Sequence, residues 1–315
     1  MAAKTKYRVK NWKEYNAGLK NRGNITLWVD AELEHKWRAN SKKNKKEKYC
    51  IYSEAFIKML LVLKNLYHLP YRQCIGFFEG ILKLLALDIP IPCYTTVCRR
   101  AKNIRVNLNS KKRKENEPIH IAFDATGLKI YGEGEWKMRI HGKSKRRKWV
   151  KLTIGVDTET GEILCQKLTD QNTHESEHFE ELLNTVEGNI DVVYADGAYD
   201  QNRCYEAVEK RGAKPLFNTR KDAKIKTDPT GTPLNSPRNK NLIDINEQGE
   251  KQWKKSSGYH KRSLSENTFF RFKTIFGPKL YSRNFLSQET ETQVKCAILN
   301  EMIQMAKPDS YPVEA

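Results

Sequence analysis

The sequence predicts an α/β fold with a mixed sheet flanked by helices, preceded by a basic, mostly helical N-terminal part. Three observations carry this. Before residue 110 apolar residues recur at helical spacing, whereas beyond 118 they fall into short runs of the kind that form strands. Lys and Arg outnumber Asp and Glu by 26 to 9 over residues 1–115, but only by 31 to 29 over the rest. A charged stretch, KKRKENE at 111–117, separates the two regimes, so the expected domains are 1–115 and 116–315.

In the first part, residues 25–40 read as a short helix and KKNKKEK (42–48) as a solvated basic stretch. Residues 53–69 form a firmer helix, with Ser53 placed to cap it and Phe56, Ile57, Leu60, Leu61, Leu63 and Leu66 at helical spacing. Pro70 opens a second helix through about Leu85, and 95–106 forms a third, with Thr95 as its cap. That third helix shows Arg99, Arg100, Lys102 and Arg105 on its surface. Three helices with a basic last member fit a helix-turn-helix-like DNA reader, and equally an ordinary three-helix scaffold with a basic exterior.

In the second part, Ile119–Phe123 is a short apolar strand ending at Asp124, and Gly127–Ile140 reads as a second strand bending back from it. Lys148–Asp157 and Glu162–Leu168 follow as strands across the Thr160-Gly161 turn. Residues 175–187 suit a helix, Asp191–Ala195 a buried strand, and Asp200 the cap of a helix that stops at Gly212. KPLFN is one more strand, 220–257 a polar loop or small insertion, and 258–276 and 288–306 the closing helices. Antiparallel strands first, then strands alternating with helices, suit a ribonuclease-H-like mixed sheet.

Net charge is +19 and sits almost wholly in the N-terminal part, which predicts a polyanionic partner for that part without specifying a sequence. Seven scattered cysteines, odd in number and without a Cys-x-x-Cys pair, argue against a disulfide framework and for a reducing compartment. The opening residues carry no apolar signal run, and the best apolar run, Met59–Leu63, is too short to span a bilayer. A soluble intracellular protein is expected.

The densest pattern lies near the C-terminus, where Tyr259, Arg262, Glu266 and Lys273 are spaced Y-x2-R-x3-E-x6-K. At about 100° per residue, one helix would carry them on a single stripe, with Leu264, Phe272 and Ile275 toward a core and Phe270 as an apolar interruption. A carboxylate flanked by cations suits a metal ion and phosphates together. Asp124 and Asp196 each end an apolar strand, where open α/β sheets gather polar groups into a crevice. Each alone is most simply a turn residue. Together with Glu266 they would repel unless cations share the site, and hard oxygen donors suit Mg²⁺ or Mn²⁺.

FDATGLK at 123–129, ADGAYD at 195–200 and the Tyr-Arg-Glu-Lys helix resemble, in order, the three motif blocks of bacterial insertion-sequence DDE transposases, in the branch marked by that helix. The resemblance covers roughly 119–306. It implies that Asp124, Asp196 and Glu266 are a catalytic triad binding two divalent ions, Mg²⁺ or Mn²⁺. It further implies that Tyr259, Arg262 and Lys273 contact phosphates, or an extruded base, at an element's end. The implied reaction frees 3′-hydroxyls at terminal inverted repeats and joins them to target DNA. The implied partners are double-stranded DNA and a second copy of the chain, with no membrane, in a bacterial cytoplasm at the nucleoid.

Lys143, Lys145, Arg146, Arg147 and Lys148 form a basic run suited to tracking phosphates or to an exposed turn. His174 and His178 read as capping and surface residues rather than a metal clasp, and His260 stands beside the motif by chance or to touch DNA. Trp136, Trp149 and Trp253 read as packing residues. Two rival functions stay open on the sequence: a metal-dependent nuclease that cuts without joining, and a DNA-binding regulator without catalysis.

Overall fold

The computed structural model describes residues 6–29, 32–39, 51–108, 117–130, 149–220 and 222–313. Its chain divides into two compact units, Met1–Val106 with Ala297–Ala315, and Asn107–Cys296. The first unit contains β1 (Lys6–Val9), α1 (Trp12–Asn21), α2 (Leu33–Lys36), α3 (Glu54–Leu66), α4 (Tyr71–Leu84) and α5 (Tyr94–Ala101). The second contains β2 (Ile119–Ile130), β3 (Trp149–Asp157), β4 (Ile163–Asp170), α6 (Phe179–Asn184), β5 (Ile190–Ala195), α7 (Asn202–Lys210) and β6 (Lys214–Phe217). Next come α8 (Pro237–Gln248), α9 (Glu250–Ser256), α10 (Ser263–Phe276) and β7 (Lys279–Leu280). Then α11 (Phe285–Met305) and β8 (Ser310–Val313) close the chain. No helix among the described residues is long and apolar enough to cross a membrane.

In the first unit the chain ends return to each other: β1 pairs antiparallel with β8, Lys6 facing Val313. Arg22 donates to the carbonyls of Met302 and Ala306 at 3.2 and 2.8 Å. Gly18 allows α1 to approach this segment, since a Cβ there would stand 2.1 Å from that of Ala306. The last residues thus pack with the first unit, whereas the sequence placed them with the second. The expected helix over 25–40 reduces to a 3₁₀ turn at Ile25–Leu27 and the short α2. In α3 the hydroxyl of Ser53 caps as expected, accepting from the Phe56 N–H at 3.1 Å. Helices α3, α4 and α5 pack on one another around Phe56, Leu60, Phe78 and Val97.

In the second unit the main sheet has the order β4-β3-β2-β5-β6, with β7 also on β2. The β4-β3-β2 portion is antiparallel, and β5, β6 and β7 are added parallel. Strand β2 does not stop at Asp124. It continues to Ile130 because β3 pairs with it from Ile121–Asp157 to Lys129–Trp149, so Gly127–Ile130 extends the same strand instead of opening a second one. The other edge of β2 is shared. Its last described pair with β5 is Ala122–Tyr194, and pairing resumes with β7 at Lys129–Lys279.

Because side chains alternate along a strand, the sheet has two distinct faces. Ile119, Ile121 and Phe123 of β2 join Val193 and Ala195 of β5 in a core with α6 and α7, centred on Phe179, Tyr199, Tyr205 and Phe217. Gly155 lies within this core, where a Cβ would meet Cys165 Sγ at 2.6 Å and Ile121 Cδ1 at 2.8 Å. Ala122 joins Val192, Tyr194 and Leu216 on the opposite face, under Trp253 and Tyr259. The polar 220–257 segment contributes Trp253 to that face and is not simply a loop, since it contains α8 and α9.

Candidate active site

Asp124 and Asp196 occupy the point where the pairing of β2 with β5 ends. Two residues beyond the Ala122–Tyr194 pair come Asp124, still on β2, and Asp196, the first residue past the end of β5. Neighbouring strands are about 4.8 Å apart, so equal extension puts the two aspartates side by side. One oxygen of Asp196 accepts the Ala198 N–H at 2.9 Å, which caps a 3₁₀ turn over Gly197–Tyr199. Asp124 accepts from the Ala125 N–H, also at 2.9 Å.

Helix α10 brings the remaining motif residues alongside. Ser265, buried on the helix, places its hydroxyl 3.5 Å from Asp124 Oδ2. Lys273 Nζ donates to Thr126 Oγ1 at 2.6 Å, two residues along β2 and on the same face. Arg262 is paired with Glu266 and stands 3.8 Å from Asp124 Oδ2 through its other terminal nitrogen. One guanidinium thus connects two of the three acids. Glu266 is more than half exposed, while Asp124 is largely enclosed.

Electrostatics connects the third acid. Burial pushes the Asp124 carboxyl up to about 6, the Ala125 N–H and Arg262 oppose that rise, and the negative charges of Asp196 and Glu266 add to it. A crowded acidic site of hard oxygen donors fits a divalent cation. The side chains as they stand do not form a finished metal cage: no group of three His, Cys, Asp or Glu gathered to hold an ion occurs among the described residues. The guanidinium of Arg262 lies between acids that the sequence expected to share an ion.

The structure corrects the expected helix in two ways. Tyr259 and Arg262 lie in a 3₁₀ turn, Tyr259–Arg262, and the α-helix begins only at Ser263. The core side of α10 is Ser265, Thr268, Phe269, Phe272 and Phe276, whereas Leu264 and Ile275 are only partly buried. Ser265 turns inward on this helix, its hydroxyl donating to the Arg262 carbonyl at 2.7 Å while lying 3.5 Å from Asp124 Oδ2, a polar placement that apolar periodicity cannot register. Phe270 remains exposed at the outer edge of the functional stripe.

Tyr259 is also not free to reach DNA. It is buried, its hydroxyl donates to the Ala195 carbonyl at 3.0 Å, and its ring lies 5.3 Å from that of Trp253. Burial, the largest cause, pushes its hydroxyl up to about 12. The same Ala195 carbonyl accepts the Asn218 N–H at 3.3 Å, so both ends of the intervening segment meet on one oxygen beside Asp196.

Asp200 does not cap α7; Gln201 occupies that position. The Asp200 carboxylate instead holds Arg238, with Nε–Oδ1 at 2.7 Å and Nη2–Oδ2 at 3.2 Å. Sequence reasoning missed Ser265, Arg238 and this use of Asp200, and the final Asp of ADGAYD was the only available signal.

Arg99 is exposed on α5, while Arg100 is partly buried and donates to the Tyr52 carbonyl. Lys145, Arg146 and Arg147, with Lys143, Lys148 and Trp136, lie outside the described residues. His174 caps a 3₁₀ turn as expected. His178 is buried and not a surface residue, its Nε2 lying 3.1 Å from Thr153 Oγ1. Trp253 is core, and His260 is exposed.

Residues 115–300 match the family model described as a transposase DDE domain, and residues 20–133 match a second model of the same description. Among solved structures, a cryo-EM structure of the piggyBac transposase synaptic complex with hairpin DNA is similar over 96% of this chain and 77% of that one. Identity there is 12% and the TM-score 0.35.

Proposed function

The chain belongs to the family of transposases with a DDE domain, and from that premise we propose a DNA transposase of the insertion-sequence type, in the branch with the Tyr-Arg-Glu-Lys motif. It binds the terminal inverted repeats of its element, cleaves them to free 3′-hydroxyls and joins these to target DNA. The observation that carries this reading is the juxtaposition at the β2–β5 edge. Asp124 and Asp196 each lie two residues beyond the last β2–β5 pair, with the charge of Asp196 acting on Asp124, and Glu266 is tied to Asp124 through Arg262. A strand order with an antiparallel β4-β3-β2 portion and parallel β5 and β6 supports the ribonuclease-H-like fold. The basic excess before residue 115 supports DNA binding by the N-terminal unit, with helix-turn-helix-like α3–α5 and exposed Arg99 as its reading surface.

Asp124, Asp196 and Glu266 are the residues that would hold Mg²⁺, or Mn²⁺ in its place. Two such ions supply activation of the attacking oxygen and stabilisation of the leaving one in phosphodiester transfer. The chain's own groups do the rest. Arg262 relieves carboxylate repulsion and, with Lys273, presents positive charge to a phosphate. Tyr259 anchors the motif to the end of β5. The largely enclosed setting of Asp124 strengthens its interaction with the Arg262 guanidinium and with any bound cation.

The test is incubation of the protein with Mg²⁺ and duplex DNA carrying the inverted repeats that border the gene. Cleaved ends followed by joined products are expected. Cleavage without joining identifies the nuclease, and binding without either identifies the regulator. Glu266→Ala is expected to lower cleavage about 10³-fold, equivalent to about 4 kcal/mol, with end binding retained.

A further inference from the structure

The second motif carries two aspartates, and only Asp196 has a chemical assignment. The side chain of Asp200 is 1% exposed, yet it accepts from four donors contributed by three separate stretches of chain. Arg238 Nε and Nη2 come from the first turn of α8, and the Tyr205 hydroxyl from α7 at 3.3 Å. The Arg220 N–H comes from beyond β6 at 3.2 Å. Arg220 then returns to the same turn, its Nε donating to the Gly197 carbonyl at 3.2 Å. Arg238 is fixed in turn by donating to the Lys224 carbonyl at 3.1 Å, and its neighbour Asn239 ties the carbonyls of Lys226 and Leu234. The four-residue step from Asp196 to Asp200 is therefore gripped at its start through Ala195, in its middle through Gly197, and at its end through Asp200.

A buried ion pair contributes little net stability over an apolar pair of similar volume, but it fixes geometry strongly. Its clearest effect here is on where Asp196 points, because the 3₁₀ turn leaves few backbone degrees of freedom between the two aspartates. From this geometry we infer that Asp200 and Arg238 are positioning residues for Asp196, coupling the 220–257 segment to the reacting centre. This rests on the reading of Asp196 as a metal ligand. The pair touches neither metal nor DNA; it sets the angle at which the Asp196 carboxylate is presented.

Arg238→Gln alone leaves a carboxylate buried without its cation and can fail to fold. The decisive variant is therefore Asp200→Asn with Arg238→Gln, a neutral pair that loses the two-pronged guanidinium contact. Mn²⁺ binding is read by electron paramagnetic resonance on the full chain without DNA, beside the melting temperature, end-DNA affinity and cleavage rate. The double variant is expected to fold, to bind end DNA within about two-fold of the parent, to bind Mn²⁺ about 10-fold more weakly, and to cleave about 10–100-fold more slowly. Arg238→Lys is expected to lie between the two. A folded double variant with parental Mn²⁺ affinity and cleavage overturns the inference, as does a loss of cleavage fully matched by loss of folded protein. A parent chain that binds Mn²⁺ but neither binds nor cuts end DNA overturns the transposase reading alone. A parent chain that does not bind Mn²⁺ overturns the inference together with the ligand assignment.

Discussion

The two faces of the central sheet are built from the same strands and behave as different materials. On one, Phe123, Phe179, Tyr199, Tyr205 and Phe217 interlock with ring centroids 4.9 to 6.5 Å apart, and a carbon added at Gly155 would displace its neighbours. On the other, the next residue of β2 is Asp124, followed two positions later by Thr126, and the covering groups are Ser265 and Lys273 of α10. Phe123 and Asp124 are sequence neighbours whose environments share nothing but a backbone. Strand alternation thus places the least deformable part of the unit directly behind the part that must meet changing charge.

The contrast is broken most severely from the packed side. Gly155→Ala is expected to cost about 3 kcal/mol, because its methyl forces Cys165 Sγ, Ile121 Cδ1 and the Phe123 ring to shift within a packed core. Denaturant unfolding measures this, and cleavage per folded molecule should stay unchanged. If activity falls with no loss of stability, the faces are not independent.

An effect of similar size comes from the charged side. The folded pKa of Asp124, about 6, lies above its ordinary value of 3.8. Asp124 therefore contributes stability that is complete below about pH 4 and is lost as pH rises through about 6, without divalent ions. Asp124→Asn should abolish about 3 kcal/mol of that pH dependence, as measured by melting from pH 3.5 to 8. Added Mg²⁺ should shift that transition to lower pH, because a cation beside Asp124 favours its ionised form.

Tyr259→Phe tests the boundary between the faces and the motif. Loss of the bond to Ala195 should cost about 1 kcal/mol of stability while leaving the salt dependence of end binding intact. A flatter salt slope would return this residue to the DNA interface. The smallest effect is expected for Lys273→Ala: end binding weakened a few-fold, with the slope of log affinity against log salt reduced by about 1. A parental slope would mean that Lys273 serves only Thr126.

Much of this was legible in the sequence because burial leaves a linear trace. The apolar runs before Asp124 and Asp196 identified strands converging on one edge, and the spacing of Arg262, Glu266 and Lys273 identified a charged stripe. What escaped depends on contacts with no periodic signature. The full length of β2 follows from β3 pairing beside it, and the buried face of α10 includes Ser265 and Thr268, polar residues that an apolar pattern does not count. Tyr259 carries the composition of a binding residue but is placed by a 3₁₀ turn that its spacing to Glu266 conceals. Arg238 lies in a polar stretch that read as loop, and only the position of Asp200 in three dimensions gives it a partner.

The single carbonyl of Ala195, receiving Asn218 from one side and Tyr259 from the other, has an architectural consequence. The excursion between them is pinched shut at its base, and its bend at Asp228–Thr232 lies outside the Lys226 and Leu234 carbonyls that Asn239 holds. Loop-closure entropy charges only about 0.6 kcal/mol for each doubling of length. That bend, exposed and held by its own Asp228 side chain, is therefore where added residues would cost this unit least.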